Sequence, residues 1–308
     1  MKKLFATIGL VLAMCVSLSI PAVAAPNVDD HAGLQKCSVS EYDILIALKA
    51  EKAALKDLHI TRAIDEERNE YLEELQNFNP EAAIMEVASL PYDVLRGQGY
   101  SSEQIDILKA YDGGPIENNP QLARALGELW ATILRQSYSN HGAEARFSWN
   151  WTTKPIITGV FDDIVSCAWR GVNLDNEEVV MTFVPSSSEC EVEYVTDMGT
   201  TVDYVEYDID DKDPNKNAEV KFALSHNNGY AKRGYFDVCI EEEVIVNELA
   251  TSVFIFAYGH TNFTLSPSIS VSGSGPSLGL TCGRGTDEMF NEWMKINRNG
   301  STEVSYID

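Results

Sequence analysis

Oxygen-bearing side chains crowd one short segment between two predicted strands. Hard cations such as Ca²⁺ prefer six to eight oxygen ligands, so this segment is a candidate calcium site. The spacing of Asp211, Asp213 and Asn215 imitates the start of an EF-hand loop, but Lys216 stands at the glycine position and Phe222 at the position of the closing glutamate. A solvated hairpin turn is therefore favoured, with structural Ca²⁺ as the alternative. The candidate ligands are Asp208, Asp210, Asp211, Asp213 and Asn215.

A second kind of chemistry would need a thiolate beside an imidazole, because a cysteine nucleophile requires an adjacent base. His260 is the candidate base, and Cys239 and Cys282 are the candidate nucleophiles. No G-x-S-x-G, H-E-x-x-H or phosphate-binding glycine motif accompanies them. The sequence therefore favours a protein without catalysis, and a secreted hydrolase using Cys and His, or a metal site, is the alternative.

Aromatic side chains form a third candidate site in the second half of the chain. Trp149, Trp151 and Tyr258 could stack on sugar rings, with nearby carboxylates accepting hydrogen bonds from hydroxyls or pairing with cationic groups. Much of the aromatic set has to be core, and the sequence does not say which face each strand buries. A carbohydrate or wall-polymer ligand is therefore one hypothesis for this region.

The cysteines are widely spaced, which disfavours a zinc site built from C-x-x-C pairs. Four of them fall in the second half and could form two disulfides in any of three pairings, as suits an exported protein. Cys37 is then left over, as a free thiol, an intermolecular link or a packed side chain. The disulfide candidates are Cys167, Cys190, Cys239 and Cys282.

The elements that would position these residues follow a period of two after about residue 143. Phe147, Trp149 and Trp151 alternate with polar residues, as do Phe236, Val238 and Ile240. The run from Val253 to Ala257 is apolar on both faces, as in a central strand covered on each side. We expect an antiparallel β-sandwich of eight or nine strands over residues 144–308, because no crossover helices intervene. A short C-terminal helix is predicted over residues 286–297.

The preceding part of the chain carries helical signals. Ser38 and Glu41 match a capping box, and Asn79, Ser101 and Asn119 each precede a good first turn. An apolar stripe from Leu122 to Leu134 recurs at helical spacing. We therefore predict a helical domain over residues 37–140, and an α+β, multi-domain fold in which a helical bundle precedes the sandwich.

The first 25 residues have the pattern of a secretory signal peptide: two lysines, an apolar run and small residues before a cleavage point. A polar spacer follows over residues 26–36. No later segment is apolar enough for a stable membrane anchor. The prediction is a secreted, extracellular protein that is exported through this signal peptide and has no stable membrane anchor once the peptide is cleaved.

The chain is strongly acidic, with a formal net charge of −24 over 308 residues. A surface of that sign repels phosphate backbones, which excludes nucleic acid as a partner. It favours cationic partners, and solubility outside the cell is the plainer explanation of the charge. We expect binding at or outside the cell envelope, with a cationic or carbohydrate ligand or another extracellular protein. Docking through the helical bundle or the C-terminal helix is a further alternative.

Overall fold

A computed structural model describes residues 37–57, 73, 75–156, 162–213, 215–242, 248–261, 269–272, 279–282 and 286–306. Residues Gln35–Asp308 group into one compact unit. The predicted signal peptide and polar spacer lie outside the described residues. Within those ranges, no helix is long and apolar enough to cross a membrane.

Strands make up most of the described chain, and every strand pair is antiparallel. The α-helices are α1 (Glu41–Asp57), α2 (Pro80–Ser89), α3 (Tyr92–Gly97) and α4 (Ser102–Ala110). Short 3-10 turns span Ile116–Asn118, Pro120–Arg124 and Pro185–Ser187. The strands are β1 (Cys37–Ser40), β2 (Glu128–Tyr138), β3 (Gly142–Trp151), β4 (Asp162–Asn173), β5 (Glu178–Val179), β6 (Met181–Phe183), β7 (Glu189–Val195), β8 (Thr201–Glu206), β9 (Asp210–Asp213), β10 (Asn217–Ala223), β11 (Ser225–His226), β12 (Gly229–Glu242), β13 (Leu249–Thr261), β14 (Ile269–Ser272), β15 (Gly279–Cys282), β16 (Thr286–Asn297) and β17 (Thr302–Tyr306).

The strands form two main sheets, as the antiparallel sandwich expected from the sequence requires. The first sheet has the order β1-β2-β3-β12-β7-β8, with β6 and β11 also pairing with β12. The second sheet has the order β17-β16-β13-β4-β10-β9, with β5 pairing with β4. A separate hairpin, β14–β15, lies against β4, β13 and β16.

Aromatic rings fill the space between the two sheets. Phe147 of the first sheet stacks on Phe256 of the second, with ring centroids 5.5 Å apart. Trp149 stacks on Phe222 with centroids 5.2 Å apart. All four side chains are buried. Alternation in β3 and β13 therefore points one set of side chains inward, as the period of two predicts.

Strand β13 is buried on both faces. Phe254 and Phe256 face the sandwich core, while Val253, Ile255 and Ala257 belong to a second apolar cluster. That cluster lies on the outer face of the second sheet, the region against which the β14–β15 hairpin packs. The expectation of a central strand covered on each side is confirmed.

Two of the helix starts predicted in the N-terminal part of the chain are present in the structure. The Asn79 side chain accepts a hydrogen bond from the Ala82 N–H at the start of α2. Ser101 and Gln104 form a capping box at the start of α4. The first helix begins at Glu41 rather than at Ser38, because residues 37–40 pair with β2 as strand β1.

The predicted helical bundle is wrong. The apolar stripe ends in strand β2, where Leu129, Ala131 and Ile133 are buried in alternation. These residues pair with Trp151, Trp149 and Phe147 of β3. Burial against these large aromatic side chains outweighs the local helical spacing, because cross-strand packing is decided by tertiary context. The boundary predicted near residues 139–143 lies at the turn of this β2–β3 hairpin, where the Ser139 N–H donates to the Gly142 carbonyl at 2.8 Å.

The predicted C-terminal helix over residues 286–297 is also wrong. This segment is strand β16, which pairs with β13 on one side and β17 on the other. Met294 and Ile296 are buried on one face, and Trp293 packs on the other against the second apolar cluster. When both faces of a strand carry apolar residues, some of these residues fall three or four positions apart in the sequence. That spacing resembles the apolar stripe of a helix although the segment is a strand.

Candidate functional site

The outer face of the first sheet carries polar side chains in cross-strand rows, because alternate residues of neighbouring strands share a face. Tyr235 of β12 stands between Ser148 of β3 and Glu191 of β7. Glu191 is in turn opposite Glu206 of β8. The rows on either side are Asn150–Arg233–Glu193–Tyr204 and Arg146–Asp237–Glu189.

Arg146 organises the centre of this face. Its Nε donates to Asp237 Oδ1 at 2.6 Å, and its Nη2 donates to Asp237 Oδ2, so the pair is bidentate. The guanidinium carbon lies 4.0 Å from the centroid of the Tyr235 ring. The Tyr235 hydroxyl donates to Glu189 Oε1 at 2.8 Å. Burial raises the pKa of Asp237, and the hydrogen bonds from Arg146 oppose that rise without cancelling it.

Three glutamates lie together beside this network. Glu189 and Glu206 are exposed, and Glu191 is half-buried between them on the same face. Burial raises the pKa of Glu191 above its ordinary value, and the negative charges of Glu189 and Glu206 raise it further. Tyr204, half exposed, lies on the adjacent edge strand. We call Glu189, Glu191 and Glu206, with Tyr204 and Tyr235, the acidic patch.

Glu193, on the same strand, already has a positively charged partner. Its carboxylate accepts from Arg233 Nε and from Thr201 Oγ1, the latter at 2.6 Å. Glu193 is buried. Within the patch, Glu189 has a more distant cationic neighbour, with Arg146 Nη2 lying 3.8 Å from its Oε1. The acidic patch is the part of this face where negative charge is both exposed and crowded.

The candidate base His260 is a core residue. Its Nδ1 lies 3.0 and 3.1 Å from the two carboxylate oxygens of Asp163, and the Tyr258 hydroxyl donates to Asp163 Oδ2. The Trp151 ring meets the imidazole edge-on, with centroids 5.2 Å apart. All four side chains are buried. The imidazole is therefore held in place by a carboxylate and aromatic rings.

The candidate nucleophile Cys239 is remote from that histidine in the fold. It lies on the outer face of β12 in the first sheet, opposite Glu144 of β3, whereas His260 belongs to the second sheet. Burial raises the pKa of Cys239 to about 11, with help from the charges of Glu144 and Glu241. A thiol with that pKa is a poor nucleophile near neutral pH. The side chain of Cys282, the other candidate, lies outside those described.

The predicted pair of disulfides is not formed. Cys167, Cys190 and Cys239 are all free, so no bond can join two of the four candidates. Cys190 and Cys167 face the core from opposite sheets, and burial raises the pKa of both thiols. The side chain of Cys37 lies outside those described.

The candidate calcium ligands lie along strand β9 and its turns. Asp213 pairs with Lys216, with Oδ2 and Nζ 2.9 Å apart. Asn215 Oδ1 accepts a hydrogen bond from Thr182 Oγ1 at 2.9 Å. In an extended strand, neighbours such as Asp210 and Asp211 point to opposite faces, and Asp208 precedes the strand. Among described residues, no three His, Cys, Asp or Glu side chains are placed to hold a metal ion. Calcium binding stays a prediction.

The candidate ligand-binding aromatics are packed inside the sandwich. Trp149, Trp151 and Tyr258 are at most 2% exposed. Their rings contact Phe222, His260 and one another. None of them offers a ring face at the surface. Among the described tyrosines, Tyr92 and Tyr204 have large exposed fractions, 47% and 50%.

A scan against protein families and a search of curated proteins found no match. Several solved structures are similar. The collagen-binding domain of a Staphylococcus aureus adhesin is 7% identical, with 57% of this chain and 95% of that chain covered and a TM-score of 0.29. ACE19, the collagen-binding subdomain of the Enterococcus faecalis surface protein ACE, is 12% identical, with 51% and 94% covered and a TM-score of 0.26. No conclusion about this chain rests on these similarities.

The acidic patch was not identified from the sequence. Its signal was present in the alternation of Glu189, Glu191 and Glu193 along β7, which places three carboxylates on one strand face. The local sequence of β7 does not show that Arg233 would form an ion pair with Glu193. It also does not show that Glu206 and Tyr235 would flank Glu191. Those pairings depend on strand order.

Proposed function

We propose that this protein acts by binding, without catalysis, at or outside the cell envelope, and that the acidic patch receives a cationic ligand. The location rests on the signal peptide predicted for residues 1–25. The ligand class rests on the acidic patch and on the net charge of −24.

The observation that supports this proposal most directly is the position of Glu191, which lies on one sheet face with Glu189 and directly opposite Glu206. Burial and two neighbouring carboxylates make its charged form costly. An ammonium or guanidinium group bound there would remove the repulsion among the three glutamates. Tyr204 adds a half-exposed ring beside the carboxylates, and such ring faces attract cations as well as the apolar side of a sugar.

Two chemistries carry the required charge: basic segments of extracellular proteins and amino-sugar polymers of a cell wall. A neutral carbohydrate is a weaker candidate, since it would leave the repulsion among the carboxylates in place. The hydrolase alternative has less support, because Cys239 has a raised pKa and lies on a different sheet from His260.

Calorimetric titration tests the proposal, using oligolysine, chitosan oligosaccharide and neutral dextran as ligands. We expect heat from one or both cationic ligands and none from dextran. The double substitution Glu191→Gln and Glu206→Gln should weaken binding about tenfold, as expected for losing charge-assisted contacts. The control is Glu86→Gln with Glu178→Gln, which removes the same charge from exposed positions elsewhere. An equal loss in both doubles would show that net charge, rather than the patch, attracts the ligand.

A further inference from the structure

Strand β8 is the last strand of the first sheet in the described part of the chain. The Tyr207 N–H donates to the Cys190 carbonyl of β7 at 2.9 Å. Because backbone groups alternate sides along an antiparallel strand, the N–H and C=O groups of Tyr204 and Glu206 point away from β7. They form the outer edge of this sheet directly beside the acidic patch, where the Tyr204 N–H donates to Asp203 Oδ1 at 3.0 Å.

The side chains on this edge are mixed, because Asp203 and Glu206 are charged while two apolar residues are exposed. Val202 and Tyr204 are 38% and 50% exposed. Edge strands are ordinarily protected by charged residues or by being very short. The other described edge on this side of the sandwich, β9, fits that rule with three aspartates and one lysine in four residues. Exposed apolar side chains on an edge strand favour pairing with an added strand.

The chemistry of this edge identifies the kind of partner. Glu206 belongs to β8 itself, and Glu191 lies directly across from it on β7. A second copy of this chain, pairing through its own β8, would bring Asp203 and Glu206 against the same acidic residues, which is unfavourable. A strand with basic side chains would instead place positive charge over the glutamates.

The turn that precedes β8 is fixed in place by its contacts with the rest of the protein. The β7–β8 turn packs against the end of α3, where a Cβ on Gly97 would lie 2.3 Å from the Asp197 carbonyl oxygen. Lys154 Nζ pairs with Asp197 Oδ1 at 2.8 Å on the same turn. An edge that is already ordered loses less entropy when a partner binds.

We propose that β8 accepts an extended, lysine- or arginine-rich peptide as an added strand at the edge of the first sheet. This inference rests on the proposed function, because the acidic patch supplies its charge complementarity. The peptide backbone bonds to Tyr204 and Glu206, its basic side chains lie over Glu191 and Glu206, and its apolar side chains contact Val202 and Tyr204. The Asp203 carboxylate, which accepts from the Tyr204 N–H at 3.0 Å, gives way to the peptide carbonyl.

The test compares two ligands that carry the same charge. One is a seven-residue peptide of alternating lysine and threonine, and the other is the same peptide methylated at every backbone nitrogen. With the full chain, we expect the methylated peptide to bind about tenfold more weakly, because its backbone can no longer donate. Amide exchange at Tyr204 and Glu206 should slow when the unmethylated peptide binds.

A pair of substitutions in β8 tests the same hydrogen bond from the side of the protein. Tyr204→Pro removes the outward N–H, and Tyr204→Thr keeps it while also losing the ring. Both variants lose the ring, so we expect Tyr204→Pro to bind about tenfold more weakly than Tyr204→Thr, because only the proline also lacks the outward N–H. Edge positions tolerate proline where the N–H faces outward. Far-UV circular dichroism checks the fold, and if Tyr204→Pro does not fold, the peptide comparison decides alone.

The outcomes separate the two proposals. Equal binding of both peptides overturns strand addition and leaves the cationic patch standing. No binding of either peptide, together with none of oligolysine or chitosan, overturns both. Dimers of the protein that Tyr204→Pro disrupts would show that a second copy occupies the edge, and would also overturn the peptide proposal.

Discussion

At the scale of single residues, the carboxylate of Asp163 illustrates how a polar group becomes part of a core. It contacts His260 through both oxygens and accepts from Tyr258, and all three side chains are buried. The amino-acid sequence alone suggested His260 as a candidate catalytic base. The structure gives it a positioning contact with Asp163 inside the sandwich, where buried polar groups persist because they are hydrogen-bonded.

Replacing Asp163 by alanine should destabilise the fold by about 3 kcal/mol, because His260 and Tyr258 each lose a buried partner. Urea denaturation followed by tryptophan fluorescence measures the change. Asp106→Ala, at an exposed position on α4, is the control and should change the free energy of unfolding little. Equal effects of the two substitutions would contradict the structural role of this cluster.

At the scale of elements, one lysine joins the helices to one another. Lys49 of α1 donates to Glu81 of α2 and, at 2.8 Å, to Glu117 in a 3-10 turn. Glu81 Oε1 also accepts from the Ile116 N–H at 3.2 Å. Burial alone would raise the pKa of Glu81, but the bonds from Lys49 and Ile116 outweigh it, and the pKa is lowered.

Glu81→Gln should therefore lower stability by about 1 kcal/mol at pH 7. A carboxyl whose pKa is lowered by folding contributes stability above its unfolded pKa and loses that contribution as the pH falls through its folded pKa. The difference between the variant and the parent should shrink below pH 4.5, the ordinary value for this group. Thermal unfolding at several pH values measures it.

The control for this substitution is Glu103→Gln. Glu103 pairs with Arg124, but both side chains are about two-thirds exposed, and exposed ion pairs contribute little to stability. We expect no measurable change at any pH. A loss for Glu103→Gln as large as that for Glu81→Gln would show that the partial burial of Glu81 is irrelevant.

At the scale of the whole molecule, charge affects stability and binding in opposite senses. The net charge of −24 produces self-repulsion that opposes the compact state. Salt screens that repulsion, and it equally screens attraction between the acidic patch and a cationic ligand. The salt concentration should therefore change stability and ligand affinity in opposite directions.

Raising NaCl from about 20 mM to about 500 mM should raise the melting temperature while weakening oligolysine binding at least severalfold, since the Debye length falls from roughly 20 Å to a few ångströms. Scanning fluorimetry and calorimetry on the same samples measure both. Sucrose, which is uncharged, should leave the affinity unchanged. Binding that does not depend on salt would contradict an electrostatic site.

The sequence by itself determined the local features of this protein. Alternation in β3 and in residues 236–240 predicted strands, and side chains such as Asn79 and Ser101 predicted helix starts, because each depends on neighbours within a few residues. The acidic composition is likewise independent of the fold.

Only the tertiary structure decided what those elements pack against. Leu129 and Ile133 fit a helix by spacing, yet they lie in β2 because the aromatic residues of β3 pair with them. Trp293 and Met294 fit a helix too, yet β13 pairs with both. The acidic patch likewise exists because β12, β7 and β8 are neighbours. Strand order is a property of long-range burial, and no local pattern encodes it.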